Sequence, residues 1–179
     1  MSDFVKYSIW FVCLVLLQEF LFNNIQFIHF LSPYIYIFLI LILPLNVHPT
    51  YIMLVAFALG LSVDTVSSGV MGAHAAACTL TAYCRNFVIK ISIPKSEYEN
   101  QATATAMHIK LSSFTLYAFI LVFLHHTALF LLEIFSLQNF IFTLLRVIVS
   151  SIISIIFIIL IKLLFAGKKE HNALGVSKK

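Results

Sequence analysis

Asp64 and His74 stand ten residues apart in the stretch Gly60-Leu-Ser-Val-Asp-Thr-Val-Ser-Ser-Gly-Val-Met-Gly-Ala-His-Ala-Ala-Ala77, where glycine and alanine supply most of the surroundings. A carboxylate near an imidazole can exchange a proton, form an ion pair or help hold a metal ion. Glu19, Glu133 and Arg146 are further charges set in apolar sequence, and His125 and His126 add two adjacent imidazoles. Histidines on facing helices can ligate haem iron. Adjacent ones point about 100° apart on a helix, so at most one of this pair joins any given site. No carboxylate and histidine sit at the i, i+3 spacing of di-metal bundles, and no His-Glu-x-x-His occurs. Cys13, Cys78 and Cys84 form no Cys-x-x-Cys pattern and read as small apolar fillers. Neither a cofactor, a metal nor an enzymatic reaction is expected; the many serines read as bonding to the backbone within their own helices.

The elements that must position these groups follow from composition. The 179 residues are 61% hydrophobic and 10% charged, with a mean hydropathy of +1.03; a soluble domain carries about a quarter of its residues charged. The chain reads as an integral membrane protein. Strand alternation is absent, which argues against a membrane barrel, and each helical crossing needs roughly 20 apolar residues. An all-α fold with about six transmembrane helices is predicted, at 4–22, 33–45, 50–67, 70–91, 111–132 and 140–165, with Ser32-Pro33 opening the second. The basic segment 167–179 is expected to be a mobile cytoplasmic tail.

Lys and Arg set the orientation. They occur at Lys6, around the fourth-to-fifth connection at Arg85, Lys90, Lys95 and Lys110, and at Lys162 and beyond; the connections at 23–31, 67–69 and 133–139 have none. Both termini are therefore expected in the cytoplasm. The formal charge of +4 reads as topological bias with some attraction to anionic lipid, and no nucleic-acid partner is expected. The first apolar run lacks a small-residue cleavage site and is kept as a span.

Helical spacing places Gly60, Asp64 and Ser67 or Ser68 on one face of the third span. On the fourth, Gly69, Ala73 and Ala77 form one small-residue row and Gly72 with Ala76 another. Such rows let membrane helices approach closely, so the two spans read as a packed hairpin turning at Ser67-Ser68-Gly69. An ionised Asp at the bilayer centre costs about 2.5–3.5 kcal/mol. Asp64 should therefore lie near the outer interface or be paired, and a polar cluster of Asp64, His74 and Arg146 is one expectation. Arg85, Lys90 and Lys95 read chiefly as topology determinants.

Gly60-Leu-x-x-Asp64, a short turn, Gly72-x-His74-Ala-Ala-Ala77 and Ala82-Tyr-x-Arg85 together resemble the hairpin of the rod shape-determining protein MreD family. The stretch Leu124-His-His-Thr-Ala-Leu-Phe-Leu-Leu-Glu-Ile-Phe-Ser136 is similar to its Bacteroidetes-type branch. The resemblance implies a fold like the substrate-binding subunits of energy-coupling-factor transporters and a place in the bacterial inner membrane. It also implies a non-enzymatic role in cell elongation: binding to MreC and, through it, association with MreB and the polymerase and transpeptidase that build lateral wall. Gly60, Asp64, Gly72, His74, Tyr83 and Arg85 carry the motif, with packing roles. The rival is a small-molecule-binding transporter subunit. That class docks through small residues at i and i+4 on its first span, where this chain has Trp10-Phe-Val-Cys-Leu-Val-Leu-Leu17.

Overall fold

The computed structural model describes residues 3–22, 32–67, 69–97, 105–134 and 140–174. Helix α1 (Asp3–Leu17) continues into one π-helical turn, Gln18–Phe22. A five-residue helix α2 (Phe38–Ile42) follows, then α3 (Pro49–Val66), α4 (Ala73–Ser92), a 3-10 turn at Lys95–Glu97, α5 (Leu111–Ile134) and α6 (Phe140–Leu174). The fold is all-helical among the described residues, apart from one isolated bridge between Pro44 and Thr105. Four helical stretches are long and apolar enough to cross a membrane: Phe4–Phe22, Pro49–Val66, Leu111–Glu133 and Ile141–Phe165.

Local chemistry sets the boundaries. Pro49 opens α3 at a position where its missing N–H is no loss, and His48 Nδ1 accepts from the Thr50 N–H at 3.4 Å. The reversal before α4 runs on to Gly72, whose φ of 88° favours a residue without Cβ. The expected turn at 67–69 is thus part of a longer one; Ser68 lies outside the described residues. Helix α4 therefore starts at Ala73, and Gly69 and Gly72 do not belong to a helical row. Its C-cap Ile93 is extended ahead of Pro94. Glu97 starts α5, its carboxylate accepting from the Lys110 N–H and the Ser113 hydroxyl, both at 3.0 Å.

In the packing, α4 lies between α3 and α5, and α5 packs against α6. Helix α1 is attached at the rim, where Leu14 and Gln18 are its buried residues and Trp10 meets Phe38 and Phe165 edge-on at 5.4 and 4.9 Å.

The second expected span is not a span-length helix. Residues 32–35 are non-helical, 36–37 form a turn, and α2 supplies barely more than one helical turn before the chain opens again at Leu43. Residues 34–43 are nevertheless buried throughout and form the centre of the core. Ser32 does not cap a helix, and Pro33 does not begin one. Non-helical backbone survives at membrane depth where protein encloses it and satisfies its polar groups, and neighbouring side chains do so here. The expected mobile tail is also altered: α6 continues through Leu174, and residues 175–179 lie outside the described residues. The connections 23–31, 98–104 and 135–139 lie outside them too.

Candidate functional site

The hairpin comes together around Asp64. Its Oδ1 lies 2.9 Å from His74 Nδ1 and accepts the His74 backbone N–H at 3.0 Å, while Oδ2 accepts the Ala75 N–H at 2.9 Å. Gly72, the residue before α4, has no side chain with which to cap the helix. Asp64 reaches across from α3 and supplies that cap, placing a carboxylate at the positive end of the helix dipole. The buried carboxylate is compensated by three donors.

One turn back along α3, Gly60 lets the backbones touch. A Cβ there would stand 2.5 Å from both the Ala75 Cα and the His74 carbonyl oxygen. Gly60, Asp64 and His74 are thus one contact. Ala73, Ala75, Ala77 and Cys78 are buried along α4, whereas Ala76 is exposed, so the second expected row does not face the hairpin partner.

Arg146 is not part of this cluster. Its guanidinium donates to Ser32 Oγ at 3.0 Å, lies 3.8 Å from Glu133 and sits 4.3 Å over the Phe130 ring. Glu133 is the nearer carboxylate, and the proposed Asp64–Arg146 pairing is replaced by Glu133–Arg146. Tyr34 stands between the two groups, its ring centre 5.5 Å from that of His74 and 6.1 Å from that of Phe130, the ring beneath Arg146.

Arg85 departs from its reading as a topology determinant. Its side chain is fully buried rather than a topology determinant at the membrane surface. Nε donates to the Tyr117 hydroxyl at 2.9 Å, Nη2 donates to the Leu43 carbonyl, and the guanidinium reaches the Pro44 carbonyl at 3.4–3.5 Å. Tyr117 in turn donates to the Leu41 carbonyl at 3.3 Å. The planar guanidinium fork suits adjacent carbonyls that no helix satisfies.

The other end of the broken segment is held by groups that sequence reading assigned elsewhere. Gln18 accepts the Ile35 N–H at 2.9 Å and donates to the Pro33 carbonyl at 3.2 Å. Ser150 accepts the Ser32 N–H at 3.2 Å, and Ser154 the Tyr34 N–H at 2.9 Å. These serines bond to another segment, not to their own helix. The sequence signal was available: Ser150 and Ser154 share a face at i, i+4 on the most apolar span, and Gln18 ends a long apolar run. Lys162, read only as an inner-side charge, is also buried, donating to the Ile109 carbonyl at 2.9 Å and lying 4.0 Å over Phe114.

His125 and His126 are both fully buried in the bundle. His126 Nδ1 lies 2.9 Å from the Val122 carbonyl and Nε2 3.2 Å from Ser154 Oγ. A neutral ring fits both: Nδ1–H donates to Val122, while Nε2 accepts the hydroxyl that itself accepts from Tyr34. His125 Nε2 faces the Tyr36 hydroxyl at 3.1 Å and Cys78 Sγ at 3.7 Å. Among the described residues, no three His, Cys, Asp or Glu side chains are placed to hold a metal ion. Tyr83, the remaining motif residue, is 67% exposed. Protein-family models, curated proteins and solved structures contain no match to this chain.

Proposed function

We propose that the chain is a non-enzymatic scaffold of the bacterial cell-elongation machinery, resident in the inner membrane, which binds MreC and through it MreB and the wall-building polymerase and transpeptidase. The reading rests on the resemblance at Gly60–Arg85. The observation that supports it is the use to which those residues are put: Gly60, Asp64 and His74 clasp α3 to α4, and Arg85 ties α4 to the broken segment. Their polar atoms are engaged in holding helices in place, as suits a part that positions others, while Tyr83 points outward.

In this reading the chain crosses the membrane six times with both ends inside. The segment at 32–45 makes one crossing in fewer residues than a helix needs. Helix α4, flanked by the apolar α3 and α5, crosses beside them although its own sequence is more polar.

Affinity capture from detergent, with crosslinkers placed on each helix, tests the function. Recovery of MreC and wall-synthesis proteins is expected; their absence from every crosslinked sample overturns the reading. One feature supports the transporter-subunit alternative: an apolar groove of about 580 Å³ between α1 and α3, floored by Leu39, Leu43 and Pro44. Mass spectrometry of the purified protein separates the two, since a stoichiometric bound small molecule belongs only to the alternative.

A further inference from the structure

One face of α4 is chemically unlike the rest of the surface that would meet lipid. Tyr83, Asn86 and Lys90 recur at i, i+3 and i+7, within about 60° of one another around the helix. Tyr83 and Lys90 are exposed and Asn86 is half-buried. Among the described residues none of the three has a hydrogen-bond or ion-pair partner. Their depth matters. Counting 1.5 Å per residue from Ala73, Tyr83 lies about 15 Å along α4 and Asn86 about 20 Å, so both stand in the hydrocarbon if α4 crosses beside α3 and α5.

Elsewhere several outward-facing hydroxyls are satisfied at home. Ser62, Thr65, Thr79, Thr115 and Thr127 each donate to a carbonyl of their own helix at 2.7–2.8 Å. A tyrosine hydroxyl and a carboxamide facing acyl chains have no such recourse, and tyrosine normally sits at the headgroup level. The pattern calls for a neighbour that brings hydrogen-bonding groups into the membrane.

We propose that this face of α4 is the docking surface for a transmembrane helix of a different protein, one that offers hydrogen-bonding groups opposite Tyr83 and Asn86 and an acidic side chain opposite Lys90. Charge decides against a second copy. Two copies in one membrane relate by an axis along its normal, so paired α4 helices run parallel and Lys90 meets Lys90. Helix α4 carries no Asp or Glu to relieve that repulsion. An acid that pairs with Lys90 would then come from another chain. The inference rests on the six-crossing reading for the depth of α4, and it specifies the face that a scaffold would use.

The test places benzoylphenylalanine at position 83 or 86 of the full chain in native membranes, with Leu54 on α3 and Leu131 on α5 as exposed control positions. Photolysis at 83 and 86, and not at the controls, is expected to join the chain to a peptide from one other protein's membrane-spanning helix, with Asp or Glu at the level of Lys90. Asn86→Leu should weaken recovery of that protein about five- to thirtyfold without lowering the thermal stability of this one. Lys90→Glu should abolish recovery, and reversing the partner's acid should restore it. Lipid adducts alone at 83 and 86, adducts between two copies of this chain, a partner peptide from outside the membrane, or no restoration by the reversed charges each overturn the proposal. Should the captured helix belong to a protein with no part in wall synthesis, the docking surface stands and the scaffold function falls.

Discussion

The α3–α4 hairpin and the broken segment at 32–45 bury polar groups in the same bundle by opposite means. In the hairpin, Asp64 and His74 are ten residues apart, and the carboxylate is answered by donors on the next helix. In the broken segment, peptide groups that no helix satisfies are answered by side chains from four other helices, with Ser150 and Ser154 lying 118 and 120 residues from their partners. The hairpin is a local lock that two helices can close by themselves. The broken segment is a keystone that forms only when α1, α4, α5 and α6 are all in place.

The contrast breaks most severely at Arg85, which links the two regions. Arg85→Leu leaves the Leu43 and Pro44 carbonyls and the Tyr117 hydroxyl without this donor inside the bundle. An orphaned buried acceptor costs about 1–3 kcal/mol, so a loss of about 3–5 kcal/mol is expected, read as unfolding in mixed micelles. Arg85→Lys should recover only part of it, because an ammonium cannot serve the tyrosine and adjacent carbonyls with one planar fork. Full rescue by lysine would show that charge, and not geometry, holds the segment.

Asp64→Ala ranks next. It removes the helix cap and the imidazole's partner together, and each buried group left unpaired costs about 1–3 kcal/mol, for a loss of about 3 kcal/mol. Asp64→Asn keeps one acceptor oxygen and should cost less than half as much. Gly60→Ala tests the same lock through its backbone contact. With the new Cβ 2.5 Å from the Ala75 Cα, α3 and α4 must separate, for a loss of about 1–3 kcal/mol. An alanine tolerated without loss would mean that the two backbones are not in contact.

These differences also explain what could be read in advance. Helix α3, α5 and the apolar part of α6 follow from composition alone, because a bilayer demands long apolar runs. The Asp64–His74 lock was legible because both partners flank one turn and sit among small residues. The broken segment was not: Tyr34 to Leu43 is apolar enough to pass for a helix, and its departure from helicity depends on Gln18, Ser150 and Ser154, whose sequence distance hides them. The reading of Arg85 as a topology determinant failed for a related reason. A basic residue near a helix end ordinarily marks the inner surface, and only the unsatisfied carbonyls at Leu43 and Pro44 draw it inside. Arg146 was paired with the wrong carboxylate because depth along a helix says nothing about which neighbour stands beside it.

The smallest expected effect is the sharpest test of the two-region view. If Asp64–His74 and Glu133–Arg146 are separate groups, with Tyr34 between them, then the losses from Asp64→Asn and Arg146→Gln should add to within about 0.5 kcal/mol. A double-mutant cycle on thermal or denaturant unfolding measures this directly. A coupling above about 1 kcal/mol would join the two into one network, with the ring of Tyr34 carrying the connection. Tyr34→Leu in the same cycle then locates it: coupling that disappears with the ring passes through the packing of that side chain, whereas coupling that persists takes a route that does not need it.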